Sequence, residues 1–306
     1  MAPNIIFPSS ATRVGQLGET TFYPNTIGSS GTGGFPVIET DGTTTWQSFY
    51  WVTNIGANAG ICRVTKVYDG DWFGGWPTWG RTIEIAGQES TPSEDQTDTP
   101  GLLTVSGLTP PVLMFHQVDP GNVPSGEGGE RSGIQIATSS DLDPTSRTWT
   151  RYLSTYVAQP MGTPETAAFI RDVESEINQW QGGLSEPTAV WDGTQVQMFC
   201  ISHYRPAGSN YPVLSGQSGS FKWVLTRWVM NLEAGAPQAA AEYVYSPAFP
   251  VFDPETDIPE GVWGQARGNI MHPHVMHDSA NELLHLFINR DSLGDATESD
   301  IGHFVS

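Results

Sequence analysis

Apolar residues along this chain gather in short runs such as Trp46–Val52, Val196–Ile201 and Leu283–Ile288, separated mostly by Gly, Asp and Asn. Short apolar or aromatic runs bounded by turn residues predict β-strands. One segment departs from this pattern. From Pro164 to Trp180 the residues Ala167, Ala168, Ile170, Val173, Ile177 and Trp180 recur near helical spacing with acids between them, which predicts a helix. The rest reads as all-β.

The strand pattern repeats. Phe35-Pro36 leads, after four residues, to Asp41-Gly42 and then to the aromatic run Trp46–Val52. Glu186-Pro187 leads in the same way to Asp192-Gly193 and Val196–Ile201, and His272-Pro273 to Asp278-Ser279 and Leu283–Ile288. A weaker copy runs from Pro100 through Ser106-Gly107 to Val112–His116. Each copy precedes a third apolar run: Gly60–Thr65, Gly133–Thr138, Lys222–Arg227 and Ile301–Val305. Fourth strands are expected at Arg81–Ile85, Thr148–Leu153 and Glu242–Tyr245. Asp-Gly between apolar runs predicts a tight hairpin, because both residues tolerate the backbone such a turn needs.

Three or four antiparallel strands, repeated at residues near 35, 100, 186 and 272, describe the blades of a β-propeller. Four blades are detectable, and five are expected if one is hidden in 151–185, 236–270 or the first 30 residues. The last copy ends on its third strand. An N-terminal strand, Asn4–Phe7 or Thr20–Tyr23, is expected to complete it and close the ring, which hides sheet edges. The expected organisation is an N-terminal arm, 1–34, and one propeller domain, 35–306. A β-sandwich is the competing architecture.

Charge narrows the partners. The 306 residues carry 33 acids against 13 Lys plus Arg, a net charge of −20. Such a chain repels phosphate backbones and anionic membranes, so no nucleic-acid partner is expected. No apolar run reaches the length of a membrane span, so no membrane insertion is expected either. The first residues, Met-Ala-Pro-Asn-Ile-Ile-Phe-Pro, lack the pattern of a secretory signal. The expected setting is extracellular or at a virion surface, reached by another route such as lysis. Cys62 and Cys200, both in apolar runs, read as buried free thiols, with a disulfide as the alternative.

The segments 186–199 and 272–287 resemble blades of the five-bladed propeller glycosidases of the arabinanase and β-xylosidase type. The segment 132–142, with Trp149 after it, resembles that family's turn between third and fourth strands. The resemblance implies carboxylates around an axial channel: a base or nucleophile, an acid, and a third group that tunes the acid. The family's base stands before the proline of the first blade, where this chain has Phe35. Its acid matches Glu186, before Pro187. Glu39 and Asp41 are the candidates to replace the missing base, although Asp192 and Asp278 mark the position of Asp41 as a turn. The family also implies an ion in the channel near a histidine, so a divalent calcium or zinc ion is expected there.

Other residues suggest binding. His272 and His274 are two apart, which in a regular strand puts both on one face and within reach of one metal. Trp72, Trp76 and Trp79 form the densest aromatic cluster, and exposed indoles stack on sugar faces. Tyr204 opens a long loop, and Arg267 is a candidate grip for a carboxylate-bearing sugar. Two functions are therefore expected in order. The first is a propeller that recognises a glycan or joins other protein subunits in an assembly, such as a virion-surface component, without strong catalysis. The second is a glycoside hydrolase with Glu186 as general acid.

Overall fold

The computed structural model of the chain describes residues 4–6, 34–40, 47–55, 58–66, 82–86, 96–119, 133–151, 180–205, 222–230, 243–245, 252, 269–291 and 299–306. Strands β1 (Asn4–Ile6), β2 (Gly34–Thr40), β3 (Gln47–Ile55), β4 (Asn58–Lys66) and β5 (Thr82–Ala86) come first. They are followed by β6 (Gln96–Thr104), β7 (Val112–Asp119), β8 (Gly133–Ser139) and β9 (Thr150–Arg151). Then come β10 (Trp180–Trp191), β11 (Val196–Arg205), β12 (Lys222–Met230) and β13 (Tyr243–Tyr245). The series ends with β14 (Asn269–Asp278), β15 (Leu283–Asp291) and β16 (Ser299–Val305). None of the described residues is helical. The segment expected to be a helix lies outside them except for Trp180, which begins β10.

The strands form four antiparallel sheets of four, in the orders β2-β3-β4-β5, β6-β7-β8-β9, β10-β11-β12-β13 and β1-β16-β15-β14. Each of the first three is one repeat of the sequence pattern. The fourth borrows its outer strand from the N-terminus: Asn4, Ile5 and Ile6 pair with Val305, Phe304 and His303. Of the two expected closing strands, the first is the one used. The chain is thus a β-propeller with its last sheet completed by its first strand, and not a sandwich.

First strands meet one another: β2 lies against β6, β6 against β10, and β10 against β14. They form the inner layer around the axis. The sheets then pack face to face, and the alternation of side chains along a strand sends neighbouring residues into opposite seams. Met198 and Cys200 of β11 join Leu113, Phe115, Ile134 and Ile136 of the second sheet. Phe199 and Ile201 join Val275, Ile288 and Phe304 of the fourth. This is why Met198–Ile201 of β11 is an unbroken apolar run: a strand buried on both faces has no polar side to show there. A smaller cluster of Ile61, Met114 and Ala137 fills the seam between the first and second sheets. Cys200 is a free, buried thiol whose pKa burial pushes up to about 12. The side chain of Cys62 lies outside the described residues.

Two aspartate turns close the hairpins as their sequence foretold. Asp192 Oδ1 accepts from the N–H groups of Thr194 and Gln195 at 2.8 and 2.7 Å, and Gly193 takes φ 98°. Desolvation raises the Asp192 pKa, but these bonds, with those from the Thr194 hydroxyl and Gln197, outweigh it and hold the group down at about 2. Asp278 accepts from Ala280 N–H at 3.0 Å and from the Asn281 side chain at 2.7 Å.

His116 of β7 is fully buried, and neither of its ring nitrogens has a hydrogen-bond partner among the described residues. Burial, reinforced by the positive charge of Arg151, lowers its pKa from 6.5 to about 3. As pH falls, the unfolded chain therefore binds this proton first. The stability is fully present above 6.5 and is lost on the way down to about 3. His116→Leu is expected to shallow that acid slope. In urea titrations at about pH 7 and about pH 4.5, the wild type should lose roughly 2–3 kcal/mol more than the variant between the two conditions.

Candidate functional site

Each inner strand is interrupted at the same point. The ladder shifts register between Gly34 and Val37 in β2, Asp98 and Pro100 in β6, Ser185 and Thr188 in β10, and Met271 and His274 in β14. The cause is proline. Pro36, Pro100, Pro187 and Pro273 offer no N–H to the neighbouring strand; Pro36, Pro187 and Pro273 fall in the skipped stretch, and Pro100 directly follows the skipped Thr99. The residue before the proline is turned out of the pleat. Thr99, Glu186 and His272 all have positive φ, at 35°, 53° and 53°. Non-glycine residues rarely adopt such angles, and held strain of this kind clusters at functional sites.

The packing around the bulges is close. A Cβ added to Gly101, just after Pro100, would collide with the carbonyl oxygen of Pro187, so only glycine lets β6 and β10 approach this far. Between β10 and β14 the contacts are polar. Glu186 Oε2 accepts the backbone N–H of His272 at 2.5 Å, and Oε1 stands 3.4 Å from His272 Nδ1. Further along, the Thr188 hydroxyl accepts the N–H of Val275 at 3.4 Å, and His277 Nδ1 faces the Trp191 carbonyl at 3.1 Å. The Glu186 side chain is 11% exposed and that of His272 41% exposed. Two equivalent positions on adjacent blades are thereby joined into a carboxylate–imidazole pair open to solvent. Thr99, the equivalent residue of the second sheet, is buried and donates its hydroxyl to Gln117 Oε1 at 3.1 Å.

Glu39 is elsewhere. It lies four residues past the pre-proline position, about 13 Å along a strand, near the turn end of β2. There it is buried between the first two sheets. Arg147 grips it with Nη1 at 2.5 Å from Oε2 and Nη2 at 3.1 Å from Oε1, and the Thr104 hydroxyl adds a bond of 2.8 Å. The Arg147 side chain is wholly buried, and its other donors go to the carbonyls of Asp141 and Leu142. Arg63 reaches the Pro144 carbonyl in the same seam. A carboxylate in this position joins two blades and does not share a site with Glu186.

The expected pairing of His272 with His274 rested on regular alternation, and the ladder shifts register between Met271 and His274. His272 turns to Glu186. His274 sits opposite Phe287, and partial burial lowers its pKa. Among the described residues no group of three or more His, Cys, Asp or Glu is arranged to hold a metal ion. Asp41, Trp72, Trp76, Trp79 and Arg267 lie outside the described residues, as does the side chain of Tyr204 in β11. Sequence reasoning missed Arg147 as the partner of Glu39, since 108 residues separate them. It also missed Thr99 as a counterpart of Glu186, although the proline after it was the available signal.

No family model matches the sequence, and no curated protein matches it. Solved structures do resemble it. Zg3597, a family 117 glycoside hydrolase produced by the marine bacterium Zobellia galactanivorans, superposes with a TM-score of 0.51 at 11% identity. That match covers 89% of this chain, which spans 66% of the length of Zg3597. An N-acetylgalactosamine deacetylase from F. plautii, solved with blood group B trisaccharide, superposes with a TM-score of 0.52 at 13% identity, covering 90% of this chain and 72% of its own.

Breaking the pair in the first seam is expected to weaken the fold. Glu39→Gln leaves the Arg147 charge buried without its counter-ion and should cost about 3–5 kcal/mol by chemical denaturation. A loss below about 1 kcal/mol would mean that the ion pair contributes little. The likeness to solved structures is one of fold, and the chain has the β-propeller architecture of the glycosidases that its blades resemble.

Proposed function

We propose that this chain is a carbohydrate-active propeller, a glycoside hydrolase in which Glu186 is the general acid. The observation that carries the reading is the placement of Glu186: a carboxylate held at positive φ at an inner-strand bulge, partly open to solvent, against the imidazole of the next blade. One oxygen is fixed by the His272 N–H, which orients the carboxyl group. The other lies beside the ring, 3.4 Å from its Nδ1. In hydrolysis the Glu186 carboxyl would give its proton to the glycosidic oxygen as the C–O bond breaks, and water would add to the sugar carbon, its released proton returning to the Glu186 carboxylate. His272 would keep the carboxyl in place and hydrogen-bond a sugar hydroxyl. The solved relatives named above support a carbohydrate substrate, since one is a glycoside hydrolase and the other was solved with a trisaccharide.

A second reading rests on a different observation. Of the four pre-proline positions, occupied by Phe35, Thr99, Glu186 and His272, only one holds a carboxylate. Hydrolysis takes two. A propeller that recognises a glycan without cutting it would need no second one.

The readings separate by assay. The wild type is incubated with polysaccharides built on arabinose, xylose, fructose and galactose, and reducing ends are counted. Under the hydrolase reading one of them is cleaved, and Glu186→Gln lowers the rate roughly 10²–10⁴-fold with an unchanged circular dichroism spectrum. Glycan binding by calorimetry without release of reducing ends would favour recognition alone. A Glu186→Gln variant as active as the wild type would remove Glu186 from the chemistry.

A further inference from the structure

The last sheet carries a second pair of titratable rings, away from the inner-strand bulges. His285 of β15 and His303 of β16 face each other with Nδ1 and Nε2 2.9 Å apart. Their ring centres are 5.1 Å apart and the planes are tilted by only 19°. The nitrogens therefore lie on the line between the centres, and the rings meet edge to edge, nearly in one plane. That is the geometry of an N–H···N hydrogen bond, with one imidazole donating and the other accepting. His303 also lies flat on Phe287, with centres 4.4 Å apart and planes within 4°.

The position of this pair in the sheet gives it a consequence. β16 is the strand between β15 and the N-terminal β1, and His303 sits opposite Phe287 on one side and Ile6 on the other. β1 is three residues long, and short edge strands are where local opening is easiest. Only one hydrogen fits between two nitrogens 2.9 Å apart. The pair is compatible with zero or one positive charge. A second proton puts N–H against N–H, removes the bond and adds a repulsion between like charges. We propose that His285 and His303 form a one-proton latch on the closing sheet: it holds β16 to β15 at neutral pH and loosens β16, and with it β1, when both rings are protonated.

The surroundings of the pair support this. By register, the titratable groups of the described residues on the same face are His274 and Asp278 of β14 and, at the far end of β15, Asp291, while Asn4 and Ile6 of β1 and Val305 of β16 contribute none. Asp278 is at the turn end, where hydrogen bonds from Asn281 lead in keeping its carboxylate ionised and His285 adds a smaller attraction. Burial of the ring, then the charge of His285, holds the proton affinity of His303 below the ordinary histidine value. The second proton thus binds below the usual range, and loosening belongs to mildly acidic conditions.

Amide exchange on the full chain, read by mass spectrometry and corrected for intrinsic rates, tests the latch. Wild-type protection in peptides covering 1–7 and 299–306 is expected to hold between about pH 7.5 and about pH 6, then to fall about tenfold by about pH 4.5. In His303→Gln, which keeps hydrogen-bonding groups but does not titrate, the fall should shrink to about twofold or less. Equal falls in both proteins, or none in the wild type, would overturn the proposal. Should the variant fail to fold, imidazole NMR on the wild type decides: the pair must titrate in two steps more than about one pH unit apart. Two independent rings titrating together would refute the latch.

Discussion

Proline brings no N–H to a strand ladder, and in β2, β6, β10 and β14 that deficit is taken up by a bulge. The bulge is the constraint from which the rest of the inner layer follows. It skips a pairing at the same place in each strand. In three of the four strands the residue before the proline is not glycine and has positive φ. The strain recurs at equivalent points, so it is a property of the repeat and not of one residue type. What differs between blades is the side chain it presents: a hydroxyl at Thr99 turned into its own sheet, a carboxylate at Glu186 turned to the next, and an imidazole at His272 that meets it.

Away from the bulges, the sheets are held by seams of two kinds. The second and third sheets, and the third and fourth, join mainly through large apolar clusters. Between the first and second the apolar cluster is small, and the turn end of the seam is filled by Arg147, Glu39, Thr104 and Arg63. The chain has only 13 Lys and Arg in all, yet two arginines are nearly or fully removed from solvent here. A buried guanidinium keeps its five donors only if acceptors surround it, and the Asp141–Arg147 turn supplies carbonyls for that purpose.

Much of this was legible in the residues. The Pro-to-Asp spacing marked the first strands and their turns. The apolar runs after it marked the second and third strands, and the last run without a successor pointed to an N-terminal partner, which Asn4–Ile6 supplies. Site geometry was less legible, for two physical reasons. A bulge interrupts the ladder between Met271 and His274, so spacing alone did not show that His272 meets Glu186 of the neighbouring blade. Pairings across seams link residues far apart in sequence, so the Arg147 that neutralises Glu39 left no local signal. The His285–His303 contact needed the register of β15 on β16, which spacing alone does not fix.

The acids sort by where they stand along the inner strands. At the turn end, Asp192 and Asp278 are surrounded by N–H and hydroxyl donors from the residues that follow them, and Glu39 is neutralised by arginine. At Asp192 and Asp278 those bonds hold the carboxylate below its usual range, and at Glu39 the arginine fixes the side chain in place. At the bulge end, Glu186 accepts from a backbone N–H of another blade and stands beside a ring able to carry a proton itself. Of these four carboxylates, Glu186 is the one that stands at a bulge, where the inner strands of two blades meet beside an exposed ring.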